Sequence, residues 1–471
     1  MESLSALRRR VTRWACCCLL ATGIAGPSAA QQISGIQSVT QRAFVTSVTP
    51  VFGPRGFVGG VSVDAQGVVS RSLADPRGDL SGQWKDSLRG ISESLTHRTA
   101  TRFVSLTKID ELVADSVDQG KPLTADVFFL AGLQRIEYVF VDPDHDDIVL
   151  AGPAEGWRIT DAGDVVGATT GRPLLRLDDL MEALRTAETA RTTAITCSIE
   201  PTEAGLRRYA QLINSRRLQF NPATVHAIEQ AMGPQQILIT CVRHDSHFAR
   251  VMVAADYIMK LLAMGIEPSR VEQLPSYLEM LRRRAPEPQI ASPRWWMTVN
   301  YEPLLHSPDL RAWQIRGPGL KTRTEDSFLD AQGRRTAARR PNPVAESWAD
   351  SMTNHFPTLV AEYPVFGQLR NCVDMSVVAA LISKRDLLAA ADCRLNVLLD
   401  ESRLRGATLE VPKTVDSQAS FVRARRGWIV SVSGGVEIDP WSVVEDVRQL
   451  DSLENVQQHS AVRRLDHWWW Q

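Results

Sequence analysis

The sequence predicts an α+β protein with several mixed modules, a small α/β layer in the middle, and β-rich and helical segments toward the C-terminus. Three observations point there. Strand and helix signals alternate over residues 194–264, which suggests the α/β layer. A run of strand signals broken by turn residues follows over 294–335. A long helical run over 343–392 then gives way to strands over 395–440.

The elements follow in order along the chain. Residues 57–69 read as two strands around a turn at Ala65-Gln66-Gly67. Residues 79–95 read as a helix, and residues 109–117 as another that ends near Gly120-Lys121-Pro122. A helix is predicted over 125–133. Strands over 136–141 and 148–151 are joined by the acidic turn Asp142-Pro143-Asp144-His145-Asp146-Asp147. A second turn at Asp161-Ala162-Gly163-Asp164 precedes a helix over 177–186. The α/β layer comprises a strand over 194–199, helices over 203–214 and 223–232, a strand over 236–242 and an amphipathic helix over 248–264. Proline-rich ends flank a short helix containing Arg282, Arg283 and Arg284, which marks a boundary. Residues 294–335 predict a β-meander with Gly317-Pro318-Gly319 as a turn. Residues 439–450 predict a last helix. The tail His467-Trp468-Trp469-Trp470-Gln471 is apolar enough either to dock on the protein body or to stay sticky. The chain thus divides into a signal peptide (1–30), an N-terminal hairpin and helical region (31–120), a central α/β region (121–285), a C-terminal α+β region (286–450) and a tail (451–471).

The first thirty residues predict export. Arg8, Arg9, Arg10 and Arg13 form a positive start, residues 14–26 a short apolar core, and Ser28-Ala29-Ala30 a cleavage site before Gln31. The apolar stretch is too short for a stable anchor, and no later segment is expected to approach a span. The mature chain is expected in the periplasm or outside the cell.

Composition narrows the function classes. An apolar fraction of 44% and a charged fraction of 23% are those of a globular protein with ample core. Loss of the first thirty residues removes four arginines and one glutamate from 53 basic and 54 acidic side chains, leaving a net charge of −4. That balance gives no reason to expect nucleic acid as a partner. Four cysteines remain, Cys197, Cys241, Cys372 and Cys393, with no CxxC pair for zinc or thiol redox chemistry. Buried free thiols, or at most one bridge, are expected.

Few side chains offer chemistry. Asp142, Asp144 and Asp146 have the spacing that opens an EF-hand loop, but Asp147 and Pro153 stand where Gly and the bidentate Glu belong, so a solvated turn is the reading. His244-Asp245-Ser246-His247 with Asp256 is the best-formed constellation, after a strand and at the start of a helix. His244 and His247 are candidate metal ligands, and His247 a candidate base oriented by Asp245 or Asp256. Against this, Asp245 or Ser246 serves as a helix cap, and Asp256 and Lys260 have the spacing of an ion pair on the helix. Asp256 lies nine residues beyond His247, on the opposite side of that helix. Glu155 beside Trp157 has the look of a sugar platform, with a packed turn as its commoner explanation. Asn371, Cys372 and Asp374, with His355, suggest thiol catalysis, against a buried apolar helix. No P-loop, G-x-G-x-x-G or G-x-S-x-G sequence occurs, and no cofactor is implied.

Several stretches carry a resemblance. They are residues 130–136, the run Asp147-Ile148-Val149-Leu150-Ala151-Gly152-Pro153-Ala154-Glu155-Gly156-Trp157, Ser246-His247-Phe248-Ala249-Arg250 with Ala255-Asp256-Tyr257-Ile258-Met259-Lys260, Arg294-Trp295-Trp296, and Pro364-Val365-Phe366-Gly367-Gln368-Leu369-Arg370-Asn371-Cys372-Val373-Asp374. Together they resemble a planctomycete-type family of secreted proteins of unknown function, over most of residues 57–435. The resemblance implies export and implies no reaction. Two readings stay open: a non-enzymatic module of the cell envelope that binds an envelope protein or surface polymer, and a hydrolase, metal-assisted in one version, centred on His244, His247 and Asp256.

Overall fold

Residues 364–385 are mostly apolar and begin with proline, which costs no hydrogen bond in a first helical turn. They form the helix Pro364–Arg385, closed by Asp386 in the left-handed conformation at φ 50°. This helix is long and apolar enough to cross a membrane, with a mean hydropathy of 1.3 over its best window, yet 94% of that window is buried inside the protein. The expectation that no segment after the leader approaches a span is corrected here: this one does by composition, and its apolar surface is spent on the core.

A computed structural model describes residues 57–71, 93–160, 162–215, 222–284, 290–291, 293–329, 335–337, 342–422, 428–431, 433–460 and 467–471. All lie within one unit, Val45–Gln471. Residues 1–56, with the expected signal peptide, and most of the helix expected over 79–95 lie outside the described residues.

The fold is α+β, with mixed sheets and packed helices. A ten-stranded sheet runs, edge to edge, through Phe57–Val58, Val61–Val63, Val68–Arg71, Thr414–Val415, Gln235–Thr240, Ile195–Pro201, Ser433–Ile438, Pro293–Asn300, Gly319–Leu329 and Arg335–Ala337. A seven-stranded sheet runs through Val447–Gln449, Leu304–His306, Ala312–Gln314, Tyr138–Asp142, Asp147–Ala154, Thr99–Ser105 and Trp469–Trp470. Strands from distant segments interleave. Thr99–Ser105 pairs with Asp147–Ala154, and Ile195–Pro201 pairs with Ser433–Ile438.

Alternation sets the faces. Ile195, Cys197, Ile199, Trp295, Met297, Val436 and Ile438 are buried, as period-two strands with one face on a core require. The helix His247–Ala263 packs against this sheet, and every one of its residues is buried. The sequence had given it a polar face from Asp256 and Lys260; the structure places both inside, paired with each other. Trp295 packs tilted against Trp348 (centroids 4.4 Å apart, planes at 51°) and meets Tyr277 edge-on at 5.1 Å.

Several further expectations change. The strand–helix layer is present, but its two strands, Ile195–Pro201 and Gln235–Thr240, run antiparallel inside the larger sheet. The meander is split: Pro293–Asn300 and Gly319–Leu329 pair in the ten-stranded sheet, while Leu304–His306 and Ala312–Gln314 turn away into the seven-stranded one. The helix expected over 439–450 is only Pro440–Val443, followed by the strand Val447–Gln449, and a further helix, Leu453–Ser460, comes after it. The helix over 125–133 is Ala125–Phe128 and then a 3-10 turn at Leu130–Gly132. The tail docks: Trp469–Trp470 pairs with Thr99–Ser105, and Trp470 is 5% exposed.

Candidate functional site

The polar residues of the helix Pro364–Arg385 form a buried belt. Charged groups inside an apolar helix are costly unless partnered, and the partners come from several distant elements. Asp374 receives Arg135 through two bonds, Nε to Oδ2 and Nη2 to Oδ1, both 3.0 Å. Tyr301 donates its hydroxyl to Asp374 Oδ1 at 2.6 Å. Burial, reinforced by the Asp374 charge, pushes the Tyr301 hydroxyl well up. Arg370 donates to the Gln134 carbonyl at 3.3 Å, and burial lowers its guanidinium to about 10. Asn371 donates to the Pro173 carbonyl at 3.1 Å, and Gln368 to Asp164 Oδ1 at 3.1 Å.

His247 completes the belt on the facing side. Ser246 caps its helix by accepting from Ala249 N at 3.1 Å, so the His247 ring emerges at the first helical position. Its Nδ1 lies 2.8 Å from Asp179 Oδ2, and both side chains are buried. The contact fixes the ring's orientation, with the direction of the bond set by the His247 tautomer. Asp179 and Asp178 stand in the first turn of the helix Leu177–Thr186, where the helix dipole favours negative charge. Arg176 grips Asp178 with bonds of 2.9 and 2.7 Å, and this pairing outweighs burial to hold the Asp178 carboxyl low. Burial pushes Asp164 up to about 6 despite Gln368 and the nearby His247. Burial, with Asp179 and Asp178 close by, pushes the Cys372 thiol well up, so it is a poor nucleophile.

The other candidates lie elsewhere, each with its own partner. Asp256 holds Lys260 at 2.7 Å, and Lys260 also reaches the carbonyls of Ile199 and Gly434. Burial pushes Asp256 up to about 6 against the pull of Lys260. Asp245 takes Arg405 at 3.0 Å and does not cap the helix. His244 is exposed and meets the Ile239 carbonyl at 3.1 Å. The structure therefore does not gather His244, His247 and Asp256. No group of three metal-ligating side chains with that capability occurs among the described residues. His355 binds the Ser351 carbonyl at 2.9 Å and does not serve Cys372.

Glu155 is not a platform. It is 1% exposed and accepts from Gln134 Nε2 at 2.8 Å, Thr170 N at 2.9 Å, Thr169 N and the Thr170 hydroxyl. Burial opposes its charge, and these donors together hold its carboxyl below the usual range. In the acidic turn, Asp144 and Asp146 face solvent, while Asp147 accepts from Thr107 N at 3.0 Å. Cys197, Cys241, Cys372 and Cys393 are free thiols.

Clefts indent the described surface. One of about 720 Å³ is walled by the loop and helix around Glu267, Glu272, Ser276 and Arg282. Another of about 190 Å³ lies between Tyr301, Lys321 and Asp446. Neither is lined by His247, Asp179, Asp256 or Cys372.

Sequence reasoning missed Asp179, Asp164, Arg135 and Tyr301. The one available signal was chemical: Arg370 and Asp374 within an apolar helix demand buried partners, without saying which.

The fold and this belt define an α+β protein whose polar residues of interest are internal bonds. A family model described as a protein of unknown function, DUF1598, matches residues 197–277. That stretch holds His244, Asp245, His247 and Asp256 but not Asp179. No curated protein and no solved structure matches this chain.

Proposed function

We propose that this chain is an exported, non-enzymatic protein of the cell envelope that works by binding an envelope protein or a surface polymer. One observation carries the reading: the side chains that sequence offers for chemistry, His247, Asp256, Cys372 and Glu155, are engaged in buried bonds within the chain and line neither cleft. Export rests on the leader pattern of residues 1–30, and the likeness to secreted planctomycete proteins supports it. The Trp tail no longer supports binding by exposed tryptophans, because it is docked.

The test uses the native host. The protein is recovered by fractionation, its first residue is sequenced, and purified residues 31–471 are sedimented with isolated envelope fragments. The reading expects a start at or near Gln31 outside the cytoplasm and saturable co-sedimentation. Recovery from the cytoplasm beginning at Met1, or failure to sediment with the fragments, contradicts it. Stoichiometric zinc after dialysis that is lost in His247→Ala would favour the hydrolase instead.

A further inference from the structure

The outer edge of the strand Thr99–Ser105 is filled by a very short strand from the far end of the chain. Trp469 pairs with Val104 and Trp470 with Phe103, antiparallel, and Ser105 N donates to the Trp468 carbonyl at 2.9 Å. Successive side chains of an extended segment enter opposite faces of a sheet, and both faces are ready here. Trp470 lies flat on Phe103, with centroids 5.6 Å apart and planes 8° apart, in a small cluster with Phe140, Leu305 and Leu453. Trp469 packs against the main core on the other face and sits under the Arg102 guanidinium, 5.1 Å from the ring centre. Arg102 is 0% exposed and its fork is fixed from below by the carbonyls of Ala131 (2.5 Å) and His97 (3.0 Å). Its Nη2 reaches on to Gln471 Oε1 at 3.2 Å.

A backbone ladder, alternate side-chain seats and a fixed cation at one end are the parts of a strand-addition peptide site. We propose that the edge of Thr99–Ser105, with Arg102 and Phe103, is such a site. Its ligand class is a short extended segment of adjacent tryptophans followed by a residue with a side-chain carbonyl. Residues 468–471 of this chain occupy it in cis. The fixed Arg102 means that the seat is organised before the ligand arrives, which lowers the cost of binding. The cis tail acts at an effective concentration on the order of millimolar, so an outside segment enters only when the tail is absent. This inference stands independently of the envelope role.

The test removes residues 467–471 and offers a labelled peptide of sequence HWWWQ, followed by fluorescence anisotropy. The shortened chain is expected to bind it saturably, one to one. The full chain should bind at least tenfold more weakly, and the shortened chain carrying Arg102→Gln should lose at least tenfold. No saturable binding to a folded shortened chain, or equal binding to the full chain, overturns the proposal. Should the shortened chain fail to fold, a protease site placed between Ser460 and His467 is cut in the full chain. The freed tail is expected to co-elute with the body on size exclusion; its immediate separation overturns the proposal.

Discussion

His247 sits 2.8 Å from one carboxyl group, Asp179, and near a second, Asp164. Asp164 gives this site a pH signature. Its carboxyl is raised to about 6 from an ordinary 3.8. Across that interval the folded chain holds a proton there that the unfolded chain releases. Stability is therefore fullest below the interval and falls as pH rises through it, by up to ~1.4 kcal/mol per unit. Asp164→Asn keeps an oxygen for Gln368 and removes the titration. Urea midpoints between pH 4 and 6.5 should vary less in the variant than in wild type, and an unchanged slope would contradict the assignment. The Asp256–Lys260 pair was legible in the sequence because a spacing of four brings side chains together on any helix. The His247–Asp179 bond was not, because 68 residues separate its partners and no local pattern reports so distant a contact.

Elements were easier to read than their neighbours. The helix Leu177–Thr186 falls where its apolar spacing placed it, and Gly120 ends the helix Leu106–Gln119 in the left-handed conformation that the Gly120-Lys121-Pro122 signal implied. The split meander was invisible, since each strand carries the same local pattern whichever sheet it joins. The helix His247–Ala263 was legible in extent but not in burial, because Asp256 and Lys260 read as a solvated face until their surroundings are known. One junction is tested by a single residue. Gly434 adopts φ 130°, and a Cβ there would run into the Trp295 backbone of the parallel neighbour strand. Gly434→Ala should cost at least ~2 kcal/mol through backbone strain and overpacking, measured by chemical denaturation. A loss within ~0.5 kcal/mol, as at an ordinary surface site, would show that the junction yields easily.

At the scale of the whole molecule, strands from the N-terminal, central and C-terminal segments share sheets, and the buried belt ties the same segments together. Asp374 joins Arg135 and Tyr301, and His247 joins Asp179. The described chain is therefore expected to unfold cooperatively, with fluorescence and far-UV circular dichroism giving coincident urea transitions. Separate transitions would show that the segments fold alone. The central claim is that His247 and its partners are structural bonds. A double-mutant cycle tests it most directly, with urea unfolding of the mature chain, His247→Ala, Asp179→Ala and the double variant. The account predicts a loss of about 3–5 kcal/mol in each single variant, because each strips a buried polar group of its short bond, although Arg176 still lies 3.9 Å from Asp179 when His247 is removed. It predicts a double variant hardly worse than either single one. Single variants as stable as the wild type, or more stable, as happens when residues kept for activity are removed, would contradict it.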